Sequence, residues 1–272
     1  KYWGACEDKS APTLEKIHNK YYLRFSFTET VILSDTPIAE QIICAIDLGI
    51  NTDAVCSIMK ADGTILARKF IDFTSDKDRM IHAMNRTRRK QSKYGPKSAR
   101  SLWAYVKRLN EDRAKKISVA IVEFASQHSV DAIVMEHLDF KGCKKRGSKA
   151  QRLSMWNHGI IREKVEQKAH LLGIRIATIC AWKTSALAFD GSGSVTRDDN
   201  NHTLAMFTTG KQYNCDLSAS YNIGARYFIR ELLKSLPATE ESRVKAKVPD
   251  AGRRTSCTLS TLRALVKELS AA

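Results

Sequence analysis

The stretch AIDLGIN, residues 45–51, begins at the end of the apolar run QIICAI, residues 41–46, and places a single carboxylate, Asp47, at the end of a predicted buried strand. Burying a carboxylate is unfavourable unless the group is paired, hydrogen-bonded or bound to a metal ion. The pattern therefore predicts that other parts of the chain supply a partner for Asp47.

The composition of the chain favours a polyanionic partner. Its 272 residues include 45 Lys and Arg against 29 Asp and Glu, a formal net charge of +16. Such an excess is typical of proteins that bind nucleic acids or anionic membranes. Since no apolar stretch approaches the ~20 residues that span a bilayer, we expect no membrane insertion. With 43% hydrophobic residues, the chain can form a core of its own.

The cysteines indicate a reducing compartment. There are seven, an odd number, and none forms a CxxC pair. Several lie in apolar runs, which favours reduced thiols in a cytoplasmic protein over a disulfide framework. The first residue is Lys rather than Met, which leaves open whether the sequence is a piece of a longer protein.

Hydrophobic spacing predicts a hairpin followed by alternating strands and helices. Within residues 12–33, Leu23, Phe25 and Phe27 alternate with polar residues at strand period, and a turn at HNK predicts a hairpin. The runs IICAID, DAVCSIM and TILARKFI predict three strands, the last two joined by an Asp-Gly turn. A long helical region from about 75 to 128 follows, then the strand VDAIVMEHL, the helix HGIIREKVEQKAHLLG and the strand IRIATI. This order predicts an α/β fold, a mixed sheet flanked by helices.

The remaining segments complete the domain organisation. We assign residues 1–40 to the hairpin and its linker, 41–235 to the α/β domain, and 236–272 to a C-terminal tail of mixed character. A polar, Gly-rich insert at about 181–213 interrupts the α/β domain before its final helix.

Three acidic residues stand at the ends of predicted elements. Asp47 ends the first strand, Glu136 ends the fourth, and Asp216 opens the last helix. Neighbouring strands of one sheet would bring the first two together, and a helix start beside them would complete a cluster. Each acid also has a simpler interpretation: Asp216 as a helix N-cap, Glu136 as an exposed strand end, and Asp47 as a turn residue before Gly49.

A cluster of carboxylates predicts a divalent metal site. Close carboxylates repel and raise one another's pKa, and a bound cation removes that cost. Hard oxygen ligands suit Mg²⁺ or Mn²⁺ rather than zinc. Two such ions about 4 Å apart support phosphodiester hydrolysis.

The motifs AIDLGIN, IVMEHLDF and DLSASYNI, in this order, resemble the three split RuvC motifs of the TnpB family. These transposon-encoded RNA-guided DNA endonucleases are related to type V CRISPR effectors. The resemblance covers roughly residues 12–235 and implies an RNase H-like (RuvC-type) fold, a guide RNA and a DNA target. It also implies that Asp47, Glu136 and Asp216 form a metal-binding catalytic triad, and that the hairpin is the end of a wedge-like barrel.

The insert departs from the family's pattern. Family members carry a zinc ribbon with two CxxC pairs at this place. An approximate alignment puts Ala188 and Gly191 at the first pair and Met206 and Thr209 at the second. We therefore expect no zinc and a degenerate, metal-free hairpin.

Two basic segments are candidates for binding nucleic acid. The first, residues 84–100, contains no acid, which favours a phosphate track over a solvated helix face. Trp103 and Tyr105 follow it and either stack on bases or pack in the core. The second is KGCKKRGSK, residues 141–149. The predicted binding residues are Arg86, Arg88, Arg89, Lys90, Lys93, Lys97, Arg100, Lys144, Lys145 and Arg146.

These features together predict a metal-dependent, RNA-guided DNA endonuclease with a mobile element or CRISPR system as its context. Two alternatives remain open. One is an RNA-guided DNA-binding protein that does not cut, and the other is an RNase H-like nuclease or resolvase that needs no guide.

Overall fold

The computed structural model describes residues 8–9, 11–138, 155–198, 201, 203–253 and 255–271. Its strands are β1 (Asp8–Lys9), β2 (Thr13–Ile17), β3 (Lys20–Arg24), β4 (Phe27–Thr28), β5 (Ile42–Asp47), β6 (Ala54–Lys60), β7 (Ile65–Ile71), β8 (Ala132–His137), β9 (Arg175–Cys180), β10 (Thr196–Arg197), β11 (Leu204–Met206) and β12 (Gln212–Asn214). Its helices are α1 (Thr74–Tyr94), α2 (Arg100–Gln127), α3 (His158–His170), α4 (Cys215–Ser235), α5 (Ala238–Lys247) and α6 (Leu259–Ser270).

A five-stranded mixed sheet with the order β7-β6-β5-β8-β9 forms the centre of the fold. β5, β6 and β7 are antiparallel neighbours, whereas β8 and β9 follow on the other side of β5 in parallel. Gly63 has a φ of 80° in the turn between β6 and β7, as the Asp-Gly pair predicts. Of the five strands, only β6 runs antiparallel to β5. This arrangement is RNase H-like and confirms the predicted fold class.

Helices cover both faces of the sheet because its central strands are apolar on both sides. On one face, Ile43 and Ala45 of β5 pack beneath α4 together with Val134 of β8. On the other face, Cys44 and Ile46 pack against α2 and α3. The alternation along β5 therefore assigns odd-numbered residues to the α4 side.

Gly224 allows α4 to lie unusually close to the sheet. A Cβ atom at this position would come within 2.9 Å of the Met59 side chain and 3.2 Å of the Ala45 Cβ. A side chain there would have to displace the end of the Met59 side chain and crowd Ala45 of β5.

The predicted long helical region is divided into two helices. Gly95 ends α1 with a φ of 83°, its N–H bonded to the Gln91 carbonyl at 2.8 Å. The 3₁₀ turn Pro96–Ala99 then leads into α2. The helix is broken because Gly95 takes a positive φ that residues with a side chain seldom adopt, and because Pro96 has no N–H to continue the helix.

The N-terminal hairpin is confirmed as β2 and β3, which pair antiparallel from Thr13↔Arg24 to Ile17↔Lys20. His18 and Asn19 both have positive φ, 49° and 61°, as a two-residue turn that matches strand twist requires.

Asp131 anchors the linker that follows the hairpin. Its carboxylate accepts hydrogen bonds from the Ser34 hydroxyl at 2.6 Å and from the Ile42 N–H at 2.8 Å.

The C-terminal segment, predicted as a tail of mixed character, forms α5, the 3₁₀ turn Pro249–Gly252 and α6. Leu259, Leu262 and Leu265 of α6 are at most 1% exposed and belong to the core on the α4 side of the sheet. The α/β core therefore extends beyond residue 235.

The insert forms a small antiparallel sheet of β10, β11 and β12, one strand more than the predicted hairpin. Ala188, Ala205, Phe207 and Cys215 form its buried cluster. Phe189 packs edge-on against Phe207, with 5.5 Å between the ring centroids. Apolar contacts thus hold the described part of the insert together.

No disulfide joins the five cysteines that the structure describes. Within the same residues, none of the helices is long and apolar enough to cross a membrane.

Candidate active site

Asp47 and Glu136 stand side by side at one edge of the sheet. Ile46 of β5 pairs with Met135 of β8, and each acid is the next residue on its strand. Adjacent strands lie ≈ 4.8 Å apart. Because Ala45 and Val134 face α4, the acids, two residues further along each strand, face α4 as well.

Asp216 lies in the first turn of α4, the helix that covers the same face. The N-cap of this helix is Asn214, whose side-chain oxygen accepts from the Leu217 N–H at 2.9 Å. The N-cap interpretation of Asp216 is therefore wrong. Its side chain instead accepts a bond from the Cys215 thiol at 3.4 Å.

The neighbouring carboxylates act on the buried Asp47 side chain. Burial raises the pKa of Asp47 well above its usual range, and the negative charges of Glu136 and Asp216 raise it further. Arg197, on strand β10 of the insert, opposes that rise. Glu136 and Asp216 thus both lie within electrostatic reach of Asp47.

Glu136 is held by a neighbour that the sequence did not reveal. The Thr184 hydroxyl, four residues beyond the end of β9, donates a hydrogen bond to the Glu136 carboxylate. Burial raises the pKa of Glu136, while the Thr184 hydrogen bond and the positive charge of Arg226 oppose the rise. In the sequence, the only indication of a buried role for Arg226 is its position within the apolar stretch NIGARYFI.

The donor set fits a hard divalent cation, since it consists of carboxylate oxygens. Within the described residues, no three His, Cys, Asp or Glu side chains stand in an arrangement that would hold a metal ion. The assignment of Asp47, Glu136 and Asp216 as catalytic metal ligands therefore stays a prediction.

A cavity of about 330 Å³ opens beside Glu136. Leu48 and Met135 form part of its wall, and His158 and Arg162 from the first turns of α3 line it as well. Of the three acids, Glu136 lines this cavity, whereas Asp47 and Asp216 do not.

The first basic segment lies on the helical hairpin of α1 and α2. All seven of its predicted binding residues have exposed side chains: Arg86, Arg88, Arg89, Lys90, Lys93, Lys97 and Arg100. Trp103 packs against the cluster of Met80, Met84 and Val106, in line with the packing alternative. The Tyr105 hydroxyl accepts from Arg79 at 3.1 Å. Of the second segment, Lys144, Lys145 and Arg146 lie outside the described residues.

The mixed sheet flanked by helices is that of an RNase H-like (RuvC-type) domain. No protein-family model and no curated protein matches the chain. Among solved structures, it matches Cas12f1 in a complex with sgRNA and target DNA, with a TM-score of 0.51, 18% identity, and coverage of 77% of this chain and 54% of that chain.

A second match is AacC2c1 in a binary complex with sgRNA, with a TM-score of 0.51, 10% identity, and coverage of 70% of this chain and 39% of that chain. The chain thus spans about half the length of the Cas12f1 chain. The resemblance of the sequence motifs to TnpB and type V effectors is confirmed at the level of the fold.

Proposed function

We propose that this chain is the nuclease domain of a metal-dependent, RNA-guided DNA endonuclease that hydrolyses phosphodiester bonds. The observation that carries the proposal is the register that places Asp47 beside Glu136, on the face covered by the helix of Asp216. Cas12f1, which shares the fold, was solved with sgRNA and target DNA. That likeness supports a guide RNA and a DNA target as partners here, in a mobile element or a CRISPR system.

Asp47, Glu136 and Asp216 would hold Mg²⁺ or Mn²⁺. The raised pKa of Asp47 reflects the unfavourable free energy of burying an ionised carboxylate beside other negative charges. A divalent cation offsets this cost, so the site is better suited to a metal complex than to three bare anions. When bound, such ions activate a water molecule and stabilise the leaving oxygen in phosphodiester hydrolysis.

The chain's own residues prepare the site in two ways. The Thr184 hydroxyl orients the Glu136 carboxylate through its hydrogen bond. The exposed cations on α1 offer a track for the phosphates of a nucleic acid, because each neutralised phosphate releases counterions.

Cleavage of an end-labelled single-stranded DNA by the purified chain, with and without Mg²⁺ and a candidate guide RNA, tests the proposal. Asp47→Asn and Glu136→Gln should each reduce the cleavage rate by several orders of magnitude while single-strand binding persists. Glu123→Gln, an equal change of charge at an exposed position of α2, is the matched control and should cleave like the wild type.

The outcomes separate the alternatives. Metal-dependent cleavage that disappears in the Asp47 and Glu136 variants, and that follows the guide sequence, supports the proposal. Cleavage without guide dependence or copurified RNA would indicate a guide-independent RNase H-like nuclease. Guide-dependent DNA binding without cleavage at any metal concentration would indicate a non-cutting binding protein.

A further inference from the structure

We propose that Trp182 is a stacking platform for a base of the single strand that passes the carboxylates, with Lys183 contacting the adjoining phosphate. The ligand is a single-stranded nucleic acid, and the ring would position it along the edge of the sheet. This inference rests on the proposed function and adds a substrate-binding residue to it.

The position of Trp182 follows from the register of the parallel strands. Glu136 pairs with Ile179, and His137 pairs with Cys180, the last residue of β9. Trp182 lies two residues further, so it follows β9 at the same edge of the sheet where β8 ends with Glu136 and His137. Two residues later the chain returns to the site, because the Thr184 hydroxyl donates to the Glu136 carboxylate.

Side chains of α4 hold the backbone around Trp182 in place through hydrogen bonds to its carbonyl oxygens. Arg226, only 5% exposed, donates to the carbonyl oxygens of Cys180 at 2.9 Å and Trp182 at 2.7 Å. The Asn222 side-chain amide donates to the Thr184 carbonyl oxygen at 3.0 Å. Both donors belong to α4, the helix that carries Asp216. The loop and the carboxylate therefore share one rigid support.

Lys183 shows that the loop has a specific shape. Its φ of 59° lies in the left-handed region that residues with a side chain seldom adopt. Such strain persists where the surrounding contacts over-determine the backbone, and here the bonds from Arg226 and Asn222 provide them. Lys183 itself is exposed and follows Trp182 directly in the chain.

Against this fixed backbone, the Trp182 side chain is 64% exposed. A single exposed apolar residue does not by itself indicate a binding site. Trp182, however, lies on a loop held by hydrogen bonds beside the candidate active site. Aromatic rings in such positions stack on bases without sequence preference, since every base has a π-face. A neighbouring cation complements the phosphate of the same nucleotide.

Fluorescence anisotropy with labelled single-stranded DNA and single-stranded RNA, in a chelator to prevent cleavage, measures the contribution of the ring. Trp182→Ala should weaken binding roughly 5- to 150-fold, the range for loss of one base stack. Trp182→Phe should retain most of the affinity because it keeps an aromatic face. Lys183→Ala should reduce the slope of log K against log salt by about 0.7, the value for one single-strand phosphate contact.

Leu171→Ala is the matched control. Leu171 is also 64% exposed but follows α3 at the opposite end of the sheet, before β9 begins. Its substitution should leave both affinities unchanged. Duplex binding should also be unchanged in Trp182→Ala, because paired bases are already stacked within the helix.

A loss of affinity for either oligonucleotide in Trp182→Ala supports the stacking platform. Whether the DNA or the RNA is affected identifies which strand stacks on Trp182. If Trp182→Ala binds both single strands as tightly as Leu171→Ala does, the proposal is wrong. An equal loss on duplex would also overturn it, since that points to a general defect. These binding outcomes are independent of catalysis: an intact stacking effect in a chain that never cleaves would refute only the proposed nuclease function.

Discussion

Asp53 offers the sharpest test of how the loop after Asp47 is held. Its side chain has no exposed surface and accepts hydrogen bonds from the Phe73 N–H at 2.9 Å and from Arg113. Lys77 lies 3.2 Å away as a second cation. Arg113 and Lys77 are only 11% and 15% exposed. Asp53→Ala would leave both cations largely buried without this counter-charge.

Removing one partner of a buried ion pair costs about 3–5 kcal/mol. At 2–4 °C per kcal/mol for a chain of this size, Asp53→Ala should lower the melting temperature by roughly 6–20 °C. Thermal unfolding followed by circular dichroism measures the change. Asp72→Asn is the control: Asp72 also pairs with Lys77 but is 34% exposed, so its loss should cost less than about 1 kcal/mol. Equal stability of the two variants would refute the buried network as a source of stability.

Three further changes have expected outcomes. Because burial and the charges of Glu136 and Asp216 raise the pKa of Asp47, ionisation of Asp47 destabilises the metal-free fold. Asp47→Asn should therefore raise the melting temperature in chelator at pH 8, with a gain that vanishes near pH 4, and added Mg²⁺ should stabilise only the wild type. Replacing exposed Arg89 and Lys90 by Ala should reduce the salt slope of single-strand binding by about 1.4, as anisotropy titrations would show. Elemental analysis should find less than one zinc per chain, and chelation should not change the stability of the insert.

The sheet was predictable because its signals are local. Buried strands such as β5 and β8 are apolar on both faces, and Asp-Gly marks the turn before β7. The break between α1 and α2 was also readable in the adjacent Gly95 and Pro96, although the apolar spacing continues across it. Periodicity reports which residues face the core, whereas glycine and proline report where the chain must turn.

The site was predictable only in part. Asp47 and Glu136 follow apolar runs and Asp216 opens an amphipathic helix, so each could be located from its own segment, and family resemblance connected them. Thr184 could not be found in this way, because its role depends on a hydrogen bond to Glu136, 48 residues away. The cap also illustrates the limit: both Asn214 and Asp216 are suitable N-cap residues, and only the backbone places Asn214 at that position.

Arg226 explains why the C-terminal segment belongs to the site as well as to the core. Besides the carbonyls of Cys180 and Trp182, its guanidinium donates to the carbonyl oxygens of Cys257 at 3.2 Å and Thr255 at 3.1 Å. A buried guanidinium without acceptors is costly, so the turn before α6 supplies acceptors that the sheet alone does not. Leu259, Leu262 and Leu265 then keep this turn in place by burying one face of α6. The packing of α6 thus supports the loop beside Glu136 through two side chains of α4, Arg226 and Asn222, the latter accepting from the Leu259 N–H at 3.3 Å.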